Sequence, residues 1–166
     1  MQTLEKYPKE YRYDVAMLRT AVTWALMSKC NRKKVGAVIA SPDYRILAHG
    51  INGAPSGFEN DVCEENGKTL DHVIHAEMNA IIYAAKRGIA IDGCSIYLTL
   101  SPCKKCSASI LQSGIKRVCY MEDYRDSGID FLKEHGVEVV KMTTFHVFEP
   151  FKTESLEKVF DLFRKE

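Results

Sequence analysis

The chain has 166 residues, of which 46% are apolar and 27% charged, with a formal net charge of +1. These proportions fit a single globular domain over 1–166, and the mixed charge, with "NRKK" (31–34) as the one tight basic run, excludes a polybasic face for nucleic acid. The N-terminus "MQTLEKYPKEYRYD" has no apolar signal region and no long apolar span follows it, so no membrane is involved and a cytoplasmic setting is expected, the host cytoplasm if the source is viral.

From Tyr11 to about Lys29, Val15, Leu18, Val22 and Ala25 recur at helical spacing, with Met17, Ala21 and Trp24 on an adjoining stripe. "VGAVIA" (35–40) and "RILAHG" (45–50) are β-prone runs joined by the turn formers of "SPDY", which predicts an antiparallel hairpin. The stretch 52–71 is rich in Gly, Asn and Asp without periodicity, and a connection of that length in a small domain is usually functional or disordered. A helix is expected from about Ile74 to Arg87, with Ile74, Met78, Ile81, Ile82 and Ala85 inward and Gly88 at its C′ position. Strand and helix then alternate: "SIYLTL" (95–100), a helix over 103–113, "KRVCYM" (116–121), a short helix near 128–134, and "VEVVKM" (137–142). The alternation predicts parallel pairing with crossover helices on both faces of the sheet. Leu156, Val159, Phe160 and Phe163 predict a terminal amphipathic helix over about 153–165.

In a reducing compartment the six cysteines read as ligands or buried apolar residues rather than disulfides, with Cys94 and Cys119 in the core. Cys103 and Cys106 follow Pro102 at a strand-to-helix junction, and their i, i+3 spacing puts both sulfurs on one side of a first helical turn. Alone, this pair would serve as well for redox chemistry or as half of a structural zinc site, and His75 alone would read as a core histidine. Residues two apart in mid-helix point to opposite sides, so His75 and Glu77 address one point only from a helix N-terminus. Two such termini would converge where their positive ends favour thiolates and hydroxide. One His and two Cys form the open zinc arrangement that leaves a fourth position for water, with Glu77 beside it.

His75-x-Glu77, then 24 residues, then Pro102-Cys103-x-x-Cys106, is the spacing of the zinc nucleobase deaminases. With "CNRKKVGAVIA", "HGINGAPSG", "HAEMNAI", "SPCKKC", "GIKRVCYMEDY" and "GVEVV", the chain resembles the cytidine deaminase superfamily and, within it, the deoxycytidylate (dCMP) deaminase family. The resemblance covers roughly Cys30 to Met142. It implies an α/β fold, a three-layer α/β/α sandwich around a five-stranded mixed sheet, and hydrolysis of dCMP to dUMP and ammonia, supplying dUMP for thymidylate synthesis. It implies Zn2+ on His75, Cys103 and Cys106, and Glu77 as the proton carrier.

By the same resemblance Asn52 contacts sugar and base, the Ala76 N–H and Ser101 carbonyl read the pyrimidine, and Tyr124 closes the pocket. "NRKK" supplies the cations for a 5′-phosphate, with Arg32 first and Asn31 and Lys34 beside it, unless it is a solvated charge run. The family also implies a homohexamer and regulation by dCTP with Mg2+ and by dTTP, through Gly53, Pro55 and Gly57, extended by Tyr83 and Lys86. Those glycines would otherwise only shape the loop. Phage-type relatives suggest a second, structural zinc on Cys30, Cys63 and His72. The motif leaves open a tRNA adenosine deaminase, a deaminase of dCTP or 5-substituted dCMP, and a non-catalytic zinc-binding regulatory subunit.

Overall fold

The computed structural model describes residues 6–58, 62–66 and 68–148, so the amphipathic helix expected over about 153–165 lies outside the described residues. Its centre is a five-stranded mixed sheet in the order β2-β1-β5-β6-β7. Strand β1 (Gly36–Ala40) pairs antiparallel with β2 (Ile46–Ile51), as the hairpin reading predicts, and antiparallel on its other side with β5 (Ser95–Leu100). Strands β5, β6 (Arg117–Glu122) and β7 (Glu138–Lys141) run parallel. All five residues of β1 are buried because both faces and both edges of that strand are covered, whereas edge strand β2 alternates.

The two faces separate residue by residue along β1. Ala37 and Ile39 join a core with α2 (Ala76–Arg87), α3 (Lys104–Gln112) and α4 (Ile129–Glu134). Val38 and Ala40 join a second core with α1 (Lys9–Ala25) and α5 (Thr144–Phe148). This is the expected three-layer sandwich, but the two crossover helices do not divide between the faces. Both α3 and α4 lie on the α2 side, because successive right-handed crossovers from β5 to β6 to β7 advance in one direction and keep to one face.

Helix α2 also turns differently from its predicted face. Ala76, Ala80 and Ala84 are buried, while Ile82 and Ala85 are exposed and Met78 and Ile81 half-buried. The cause is proximity. A Cβ on Gly50 would stand on the Ala76 carbonyl oxygen and 2.6 Å from the Ala80 nitrogen, so the helix lies against β2 at a separation that only small residues allow. Asn79 Nδ2 donates to the Ile51 carbonyl at 2.9 Å and holds that contact in register. On the other face Met17 and Ala21 are buried, and Trp24 stacks on His49 at 3.5 Å between ring centroids, so their stripe is a packing surface.

A feature unseen in the sequence ties the sheet to α1. Arg117, at the start of β6, donates from Nη1 and Nη2 to the two carboxylate oxygens of buried Asp14, each at 2.8 Å, and from Nε to Glu138 at 2.9 Å. Fork-to-fork geometry makes this a strong charge-assisted pair, and both charges are withdrawn from water. Among the described residues no helix is long and apolar enough to cross a membrane.

Candidate active site

His75 and Cys103 are the N-caps of α2 and α3, each with extended backbone (ψ 154° and 167°), and neither uses its side chain to cap its own helix. The two helix mouths therefore face one point with their side chains available. His75 Nδ1 stands 3.4 Å from Cys106 Sγ and 3.8 Å from Cys103 Sγ, and the three potential ligand atoms lie within 4.8 Å of one another. Sulfur and nitrogen donors bound tetrahedrally at about 2.3 and 2.05 Å stand about 3.6 Å apart, so the observed spacing fits a zinc ion. Two sulfurs and an imidazole are also a donor set suited to that borderline-soft metal. Among the described residues no fourth His, Cys, Asp or Glu joins the group, which leaves the open arrangement of a catalytic site.

Protonation in the cluster reflects the same crowding. Hydrogen bonds from Cys106 and His75 draw the Cys103 thiol down to about 4. The shared proton pushes Cys106 up, and the bond to the Cys103 sulfur raises His75 above its ordinary 6.5. Cys103 is thus the most acidic thiol of the cluster, and binding of a cation displaces protons from such ligands. Glu77, in the first turn of α2, is buried with its side chain 5% exposed and Oε1 4.0 Å from His75 Nδ1. Burial raises its pKa above the carboxylate range.

One cleft of about 590 Å³, part of it open at the mouth, joins this cluster to the rest of the candidate site. His75, Ala76, Glu77, Cys103, Ser101, Tyr124, Asn52 and Arg32 all line it, whereas Asn31 and Lys34 do not; Lys33 takes their place. Asn52 plays a structural part that the sequence reading did not assign. Its Oδ1 accepts from the Val35 N–H and its Nδ2 donates to the Lys33 carbonyl, both at 2.8 Å, which fixes the basic segment against the cleft. One further N–H and one lone pair remain in its inventory. Ser101 Oγ accepts from the Tyr124 N–H at 2.8 Å and so holds the tyrosine at the rim.

The loop residues Gly53, Pro55 and Gly57, and Tyr83 and Lys86 on α2, do not line the cleft. Gly53 pairs through its backbone with Ile74, which places the loop beside the segment entering His75. Two expectations about cysteine are corrected. Cys30 and Cys63 form a disulfide (Cα–Cα 5.2 Å), because the end of α1 and the return of the long loop converge on the cleft wall. In this form they are not thiolate ligands, and His72 stacks on Phe58. Cys94 and Cys119 are free and buried, as expected.

The long connection is not structureless either. It contains a two-stranded hairpin, β3 (Glu64–Glu65) and β4 (Lys68–Thr69), whose Glu64 and Thr69 line the cleft. No pattern in the sequence marks strands of two residues, and Glu64 was missed for that reason.

A mixed sheet that brings two helix N-termini together at a His, Cys, Cys cluster beside a buried glutamate defines a zinc-site deaminase domain. Residues 12–122 match the family model of the cytidine and deoxycytidylate deaminase zinc-binding region, and the chain belongs to that family. It is 34% identical over 167 residues to the deoxycytidylate deaminase of Enterobacteria phage T4, covering 74% of this chain and 86% of that one. It is 46% identical over 106 residues to the ComE operon protein 2 of Bacillus subtilis, covering 61% of this chain but spanning only 54% of that protein's length. Among solved structures it is similar to the dCMP deaminase of cyanophage S-TIM5 in complex with dCMP and dUMP, at 44% identity and a TM-score of 0.76, with 82% of this chain and 99% of that one covered.

Proposed function

We propose that this chain is a zinc-dependent deoxycytidylate deaminase that converts dCMP and water to dUMP and ammonia. The observation that carries the proposal is the buried Glu77 beside the His75, Cys103, Cys106 cluster, in one cleft with the cations Arg32 and Lys33. The similarity to relatives named as deoxycytidylate deaminases, one of them solved with dCMP and dUMP, supports the substrate.

Zinc, when bound, supplies the Lewis acidity that makes water nucleophilic at neutral pH. Glu77 accepts a proton from the attacking water and passes it to N3 of the cytosine, then takes the remaining proton from the new C4 hydroxyl and gives it to the C4 amine, which leaves as ammonia while the C4 carbonyl forms. Burial raises the affinity of Glu77 for a proton, which suits a group that must both accept and donate. The Ala76 N–H and the Ser101 carbonyl, both at the cleft wall, hold the pyrimidine edge, and Tyr124 covers it. Asn52 orders the 33–35 segment, and Arg32 with Lys33 takes the 5′-phosphate.

Ammonia release from dCMP, cytidine, dCTP and tRNA, compared side by side with zinc-loaded protein, tests the reading. Turnover should be highest on dCMP and should fall in Arg32→Ala through a raised KM. Turnover on tRNA but not on dCMP would replace the proposal with an adenosine deaminase.

Assembly and regulation extend it. Leu26, Met27, Ile82 and Tyr83 expose apolar surface, which supports self-association, for which a homohexamer is the expected form and sedimentation the test. Regulation by dCTP with Mg2+ and by dTTP would act through the Gly53–Gly57 loop, and sigmoidal dCMP kinetics made hyperbolic by dCTP would carry it.

A further inference from the structure

The β3–β4 hairpin puts a carboxylate into the cationic end of the cleft. Glu64 Oε1 lies 3.5 Å from Arg32 Nε, and Thr69 Oγ1 accepts from Arg32 Nη2 at 3.3 Å. Arg32, Lys33, Glu64 and Thr69 all line the same cleft as His75 and Glu77. Glu64 is held firmly. Its neighbour Cys63 is bonded to Cys30, the Cys63 carbonyl accepts from the Leu70 N–H at 2.9 Å, and Glu64 pairs with Thr69 across the hairpin. With its side chain only 21% exposed, the carboxylate belongs to the wall rather than to solvent.

Among the described residues, this end of the cleft presents two cations and one fixed carboxylate, an uneven receptor for an anion. A monophosphate brings about two negative charges, which Arg32 and Lys33 oppose. Each further phosphate adds about one negative charge in the field of Glu64 while, among the described residues, no further Lys or Arg lines the cleft.

We propose that Glu64 is the residue that sets phosphate number, admitting a nucleoside monophosphate and disfavouring the di- and triphosphate. The inference rests on the deaminase reading given above, with Arg32 and Lys33 at the phosphate. A unit charge about 10 Å away at an effective dielectric of about 20, screened over a Debye length of about 10 Å, shifts relative affinity roughly threefold per added phosphate.

The test measures kcat/KM for deoxycytidine mono-, di- and triphosphate with the parent, Glu64→Gln and Glu64→Asp. Gln keeps an acceptor for Arg32 and removes the charge, so the di-to-mono and tri-to-mono ratios should rise by that factor per phosphate, graded with chain length. Asp keeps the charge and should hold ratios near the parent's. Raising the salt concentration should raise the parent's ratios and leave those of the Gln variant nearly flat, which a purely structural role for Glu64 would not produce. Ratios unchanged in Glu64→Gln, or shifted equally by Gln and Asp, would overturn the assignment. If the parent releases no ammonia from any of the three, the deaminase reading fails, and calorimetric binding of the same three nucleotides still decides the charge gate.

Discussion

Replacing Glu77 by Gln separates the roles given to this residue. The substitution keeps the volume of a side chain that is 5% exposed and leaves His75, Cys103 and Cys106 intact, so zinc content per chain should match the parent's. What it removes in the proposed mechanism is a proton acceptor used at successive steps of one turnover, and loss of a positioned acid/base costs about 10² to 10⁴ in rate. The barrier should rise by about 3–5 kcal/mol. Ammonia release at saturating dCMP, with zinc measured on the same sample, reads both quantities.

The same variant has a stability signature in metal-free protein. Burial raises the Glu77 pKa in the folded state, so the stability linked to its protonated form is present below the ordinary value of 4.5 and is lost as pH rises through the raised folded value. Above that raised value the parent carries a desolvated carboxylate that Gln lacks. Metal-free Glu77→Gln should be more stable there by about 1–3 kcal/mol, roughly 2–10 °C in melting temperature, and should lose that advantage by pH 4. Parental turnover with full zinc would refute the proton-carrier role, and a stability difference independent of pH would refute the burial argument.

Three further outcomes follow from the packing and from the cluster. Because the His75 pKa is raised, a proton competes for Nδ1 beginning above pH 6.5, so zinc affinity measured against a chromophoric chelator should weaken as pH falls through that range; a pH-independent affinity would contradict His75 as a ligand. Gly50→Ala puts a methyl group onto the α2 backbone and should cost about 1–3 kcal/mol in chemical denaturation and lower zinc retention, since α2 carries His75 at its mouth. Asp14→Ala leaves the guanidinium of Arg117 without its bidentate partner and should cost about 3–5 kcal/mol while zinc content in the folded fraction stays at the parental value.

The metal cluster was legible because each contribution to it is local. His75, Glu77, Cys103 and Cys106 sit within a turn of a helix end, and a helix end is announced by the strand, Pro or loop before it. The antiparallel hairpin and the parallel strands were legible for a similar reason, since apolar runs of five or six residues mark their own positions. The buried face of α2 was not, because the eye for periodicity weighs Ile and Met above Ala. The contact with β2 is decided by closeness, which selects Ala76, Ala80 and Ala84 opposite Gly50 and leaves Ile82 outside.

Pairings distant in sequence left no local mark at all. Asp14 and Arg117 are 103 positions apart, and Asp14 reads in isolation as an ordinary polar residue on the outer face of a helix. The cationic end of the cleft combines both difficulties. Arg32 was visible as a charge in a basic run, but its orientation depends on Glu64 and Thr69, 32 and 37 residues later, on strands too short to show periodicity. Those strands lie beside a disulfide whose partners are 33 positions apart. A metal cluster built from helix ends can therefore be read from spacing, while the cleft wall around Arg32 is assembled by loop closure. In this chain that closure brings Cys63 to Cys30 and, with it, Glu64 to Arg32.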